Sequence, residues 1–172
     1  MTSRRALLAA GAAALTGCGY HVAGRADLLP KSLRSIAIPA WGNNTSRHRL
    51  SERLPAMLTR EFISRTRYQV IADPTQADAV LTGAVTNVMP YPTTFDPATG
   101  RASGGQIMVI LQAKLTDRAT GKILFDRPQF EARQRYEISV DQVAYFEESN
   151  AALDRVAVEV ARQLVSAILE NF

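Results

Sequence analysis

Ile107, Val109, Leu111, Ala113 and Leu115 recur at every second position, and this run constrains the fold more than any other part of the chain. A period of two places all five side chains on one face of a β-strand, and that face must be covered by a second layer. The strand ends at Asp117-Arg118-Ala119-Thr120-Gly121-Lys122, a hairpin turn with glycine at the tight position. Ile123-Leu124-Phe125 starts the return strand, which runs through Phe130 to Tyr136, with Pro128 expected at a bulge or an edge. Glu131 to Tyr136 is polar on both faces, as suits an edge strand. Upstream, Val80 to Met89 reads as another strand, with Leu81, Gly83, Val85 and Met89 on one face and Val80, Thr82, Thr86 and Val88 on the other. Residues 90–105 hold three prolines and three glycines and are expected to form a long loop.

The covering layer is legible in two helical stretches. Leu50, Leu54, Leu58 and Phe62 recur every fourth residue between about Arg47 and Arg65. Pro55 interrupts that stripe, so the firm helix is expected to begin near Leu54, with Asn, Thr and Ser of the preceding Trp41–Thr45 loop available as caps. From about Ser149 to Glu170, Leu153, Val156, Val160, Leu164 and Ile168 form the strongest apolar stripe, with Ser149 or Asn150 as its cap and Glu147-Glu148 near its positive end. Ile36-Ala37-Ile38-Pro39 and Tyr68-Gln69-Val70-Ile71 read as short strands. The expected fold is α+β, a two-layer sandwich with two amphipathic helices packed on a four- to five-stranded mixed sheet.

The amino terminus is of a different kind. Arg4 and Arg5 precede an apolar run from Ala6 to Leu15, and Thr16-Gly17 leads into Cys18, the only cysteine. This is the pattern of a bacterial secretory signal, too short to span a bilayer as a helix. Leu15-Thr16-Gly17-Cys18 also resembles the lipobox, which implies acylation of Cys18 and cleavage before it. Residues 1–17 are then signal, 18–34 a lipidated tether, and 35–172 a single α+β domain. Gly19 after the cysteine, by resemblance to enterobacterial sorting, favours the outer membrane. Ser3-Arg4-Arg5 weakly resembles a twin-arginine motif, which leaves the export route open.

Removing the signal lowers the formal charge from +4 to +2, with 18 basic residues against 16 acidic. No block of arginine and lysine with interleaved aromatics exists, so the high isoelectric point does not mark a nucleic-acid binder. His21 and His48 have no metal-ligand spacing and read as surface residues, and no nucleophile is matched to a base. No catalytic residue, metal or cofactor is expected beyond the lipid on Cys18. Binding remains. Tyr91, Phe95 and Arg101 in the 90–105 stretch form an aromatic and basic set for a protein partner. Arg118, Lys122, Arg127, Arg133 and Arg135 would suit phosphates if they cluster.

Cys18-Gly19-Tyr20-His21-Val22-Ala23-Gly24 resembles the opening of the LptE family of lipopolysaccharide-assembly lipoproteins. Leu33 to Pro39 followed by Asn43-Asn44-Thr45 is similar to that family's first strand and loop, and Ala77-Asp78-Ala79-Val80-Leu81-Thr82-Gly83 to its third strand. The resemblance implies an outer-membrane lipoprotein, seated as a plug in the LptD β-barrel, that assists barrel assembly and lipopolysaccharide transport. Lipoproteins of the penicillin-binding-protein-activator and curli-secretion types look alike in the last two segments. A regulatory or secretion-pore role is the alternative, and the short tether weighs against it.

Overall fold

A computed structural model describes residues 30, 33–138 and 142–170, with side chains in the last stretch from residue 151 onward. The expected signal, Cys18, Gly19 and His21 lie outside the described residues. Among the described residues six strands and two helices follow in the order β1 (Ser35–Ala37), β2 (Gly42–Asn43), α1 (His48–Arg65), β3 (Gln69–Ile71), β4 (Ala79–Phe95), β5 (Ala102–Asp117), β6 (Ile123–Glu137) and α2 (Gln142–Glu170). The strands form one mixed sheet in the order β3-β1-β4-β5-β6, with β2 pairing β4 beside this path. The short strands pair in parallel and the three long ones as antiparallel hairpins. Both helices lie on one face, which gives the expected two-layer α+β sandwich, with one strand more than the four to five expected because Gly42–Asn43, read as loop, pairs with β4.

The core is the seam between those layers. Leu81, Val109, Leu111 and Leu115 of the sheet are fully buried against Leu54, Leu58 and Phe62 of α1 and Val160, Leu164 and Ile168 of α2. The helices run side by side in the same direction. Near the start of α1, Arg53 pairs with Asp154, about midway along α2, at 3.0 Å; near the end of α1, Arg65 donates to the Arg162 carbonyl at 3.2 Å.

Four sequence expectations change here. First, α1 begins at His48 and continues through Pro55. The proline removes one helical bond, at a cost of roughly 3 kcal/mol. Burial of Leu50, Leu54, Leu58 and Phe62 contributes about 1.5–3 kcal/mol apiece and outweighs that cost. No loop side chain caps the helix at Arg47. Asn43 Oδ1 instead accepts from the Thr45 N–H, and Thr45 Oγ1 accepts from the Arg47 N–H, which folds the loop itself.

Second, α2 begins at Gln142, so Ser149 and Asn150 are interior residues rather than caps, and Glu147-Glu148 lie beyond the first turn.

Third, residues 90–105 are not a loop. β4 runs on to Phe95 and β5 starts at Ala102, leaving only residues 96–101 as the turn. Ile138 N–H donates to Ser103 at 3.0 Å, so odd-numbered β5 residues bond β6 and even-numbered ones bond β4. Pro90 and Pro92 pair with Ile107 and Gly105, between the bonded positions, so their missing N–H groups face away from β5. β4 has no described neighbour on that side beyond Val85, where a strand tolerates proline.

Fourth, a bulge at Thr86 inverts the faces of β4 beyond it. Val88 pairs with buried Val109 on the helix side, and Met89 pairs with Met108 on the other. Pro128 meets both expectations placed on it. It lies in a register shift of β6 between Arg127 and Phe130, and β6 is an edge strand among the described residues.

Candidate functional site

The sheet face opposite the helices carries the candidate binding residues at its far end, and cross-strand register assembles them in rows. Asn87, Ile110 and Glu131 make one row; Met89, Met108 and Arg133 the next; Tyr91, Gln106 and Arg135 the third. Tyr91 Oη donates to Gln106 Oε1, which pins the phenol across the hairpin. With strands about 4.8 Å apart, Tyr91 and Arg135 stand roughly 10 Å from each other. Tyr91, expected to face a protein partner, and Arg135, expected to face phosphate, therefore share one surface. Arg133 is paired with Glu131 on its own strand.

Phe95 and Arg101 close the tip of the β4–β5 hairpin. Phe95 is 56% exposed, one of the few large apolar side chains that the core leaves out. The turn is held from within: Asp96 Oδ1 accepts from Ala98 N–H, Thr99 N–H and Thr99 Oγ1, while Asp96 N–H donates to the Arg101 carbonyl at 2.8 Å. Hydrogen bonds from the Thr99 backbone and hydroxyl, then from Ala98, hold the Asp96 carboxyl below the usual carboxylate range. Beside this hairpin a shallow recess of about 670 Å³ is lined by Thr93, Thr94, Ser103, Arg135, Tyr136 and Arg155.

The five cations do not form one cluster. Arg118 and Lys122 belong to the β5–β6 turn at the opposite end of the sheet; Lys122 lies opposite Asp117 and Arg133 opposite Met108, nine positions apart on β5, or roughly 30 Å along the strand. Arg118 is partly engaged there, its Nε donating to the Ala77 carbonyl at 2.7 Å. Arg127 lies between the two groups, its guanidinium 5.6 Å from the centre of the Phe125 ring. Gln106, Met89, Met108 and Ile110 complete the face, although none is among the candidate site residues read from the sequence. The alternation of β5 already placed Met108 and Ile110 opposite the core stripe, whereas Met89 was hidden by the bulge.

The rest of the described chain offers little chemistry. His48 is exposed, with its Nδ1 2.9 Å from Asn43 Nδ2. Among the described residues no group of three histidines, cysteines or carboxylates could hold a metal, and no helix is long and apolar enough to cross a membrane.

These features define a class: small two-layer α+β domains with one sheet face open and a long hairpin extending the sheet. Solved structures share the architecture. A Caulobacter crescentus CB15 protein is 15% identical with a TM-score of 0.55, covering 78% of this chain and 87% of its own. The rare lipoprotein B of Shewanella oneidensis is 11% identical with a TM-score of 0.53, covering 78% and 95%. A lipoprotein B of Nitrosomonas europaea is 14% identical with a TM-score of 0.51, covering 78% and 83%. At such identities the likeness is one of fold. No curated protein matches the chain. The family model for LptE, lipopolysaccharide-assembly, matches residues 33–168, and the chain belongs to that family.

Proposed function

We propose that the chain is an outer-membrane lipoprotein, anchored through acylated Cys18, that binds the LptD β-barrel as a plug and assists its assembly and lipopolysaccharide transport. The family match across residues 33–168 carries this reading. The fold supports it physically. A polar barrel interior suits a compact domain with a mixed polar face, and the β4–β5 hairpin extends that face as a rigid ribbon. Tyr91, Phe95 and Arg101 are assigned to the barrel contact. Arg133 and Arg135 are assigned to lipopolysaccharide phosphates through paired guanidinium hydrogen bonds. Arg127 extends that set, and Arg118 and Lys122 form a separate cationic end. The role is one of binding, with no catalytic residue assigned.

The test is affinity purification of the acylated protein from detergent-solubilised outer membranes. A stoichiometric large β-barrel is the expected companion. Recovery of a peptidoglycan synthase, or of a ring of the protein itself, would overturn the plug reading.

A further inference from the structure

β6 is fifteen residues long and has a strand on only one side among the described residues. The Ile138–Ser103 bond sets its parity: above the bulge, even-numbered residues direct N–H and C=O groups at β5, and Glu131, Arg133, Arg135 and Glu137 direct theirs outward. The side chains of those four are also exposed, on the face opposite the helices. Of the outward carbonyls, that of Arg135 is met by the neighbouring Gln134 side chain at 3.3 Å. A long edge of this kind is a template for another strand.

We infer that this edge pairs with the same edge of a second copy, antiparallel, about a two-fold axis through Ala132. The charge order selects that register. Outward groups bond only when odd-numbered residues face odd-numbered residues, which leaves three central registers. An axis at Gln134 sets Arg133 against Arg135 and Glu131 against Glu137, all like charges. An axis at Arg133 sets Glu131 against Arg135 but apposes the two Arg133 side chains. An axis at Ala132 sets Glu131 against Arg133 twice, with Gln129 opposite Arg135 and no like pair. The existing Glu131–Arg133 ion pair within each strand then becomes part of a group of four alternating charges. Pro128 and its bulge end the usable edge, so pairing stops at about residue 129. The inference is independent of any barrel partner and concerns the protein before it meets one.

Sedimentation velocity of the full chain in neutral detergent, followed over concentration, tests it. Glu131→Arg and Arg133→Glu each turn two attractive cross-strand pairs into two repulsive ones and weaken the dimer by roughly tenfold or more. The double variant, Glu131→Arg with Arg133→Glu, restores opposite pairs in this register and recovers the native dissociation constant to within a few-fold. Melting followed by circular dichroism verifies that each variant is folded, as expected for exposed positions. A native chain that stays monomeric to about 100 µM overturns the inference. So does a dimer indifferent to these charges, or a double variant no tighter than the singles.

Discussion

Asp78 and Ser35 grip one another reciprocally where β1 and β4 begin. Asp78 Oδ2 accepts from the Ser35 N–H at 2.9 Å and from Ser35 Oγ at 3.1 Å, and Ser35 Oγ accepts from the Asp78 N–H at 3.0 Å. The same oxygen takes the Arg34 N–H at 2.8 Å, so one carboxylate fixes the entry of the first strand beside a segment 43 residues later. Hydrogen bonds from Arg34 N–H and Ser35 N–H hold the Asp78 carboxyl below its ordinary range. Because the folded value is depressed, the stability it contributes is present above the unfolded value of about 3.9 and is lost as pH falls through the folded value. Asp78→Ala should cost about 1 kcal/mol at neutral pH, a modest figure because water reaches the site. The gap in melting temperature between native and variant should hold from pH 7 to about 5 and close below about pH 4. A gap that widens in acid would contradict this account.

Gly83 is required by contact rather than by backbone angle. A Cβ there would lie 2.7 Å from the indole of Trp41 and 2.7 Å from the Gln112 carbonyl, neither of which is a flexible chain end. Gly83→Ala should therefore destabilise by about 1–3 kcal/mol through overpacking. Trp41 is the sole tryptophan and is buried. Its fluorescence reports the displacement directly, with a red-shifted emission expected in the variant. Unchanged emission and melting would show that β4 can give way.

One six-residue turn is used twice. Asp96-Pro97-Ala98-Thr99-Gly100-Arg101 and Asp117-Arg118-Ala119-Thr120-Gly121-Lys122 share an aspartate that accepts from the threonine N–H, a closing bond from the aspartate N–H to the basic residue's carbonyl, and a left-handed glycine. Gly100 has φ +67° and Gly121 φ +69°, with open space around both. Alanine at either position is strained by the backbone alone, at about 1 kcal/mol each. The turns cap opposite ends of β5, so Gly100→Ala and Gly121→Ala should be additive in chemical denaturation. A marked departure from additivity would mean the two ends of β5 communicate.

That repeat also shows where sequence reasoning succeeds and fails here. The core strand at 107–115 and the stripe of α2 are legible because burial on one face imposes a period that survives in the residues themselves. The second turn is legible from Asp117 to Lys122, and the shared Asp-x-Ala-Thr-Gly followed by a basic residue at 96–101 marks the first. Proline content nevertheless argued for a loop across 90–105, because which side of a strand a proline N faces depends on register, a property of two strands together. The Thr86 bulge is hidden for the same reason. The helix is legible from its stripe, but its start lies at His48 rather than near Leu54 because burial against the sheet outweighs the local defect at Pro55. Among the candidate site residues, Tyr91 and Arg135 converge only through pairing across β5. Arg118 and Lys122 are near Arg127 in sequence yet belong to the opposite end of the sheet from Arg133.

Phe95 offers the cleanest separation of binding from folding. Its ring is 56% exposed and takes no part in the core, so Phe95→Ala should change stability by no more than about 0.5 kcal/mol. If the hairpin tip enters a barrel, the same truncation removes an apolar anchor that only the partner covers, and such anchors dominate interface energies. The expected outcome is a severalfold loss of co-purified barrel with an unchanged melting temperature, deepened when Arg101→Glu is added. Tyr91→Phe, which deletes only the bond to Gln106, should lower recovery less. Full recovery of the barrel with Phe95→Ala and Arg101→Glu combined would remove the tip from the interface and move attention to the row of Met89, Met108 and Arg133.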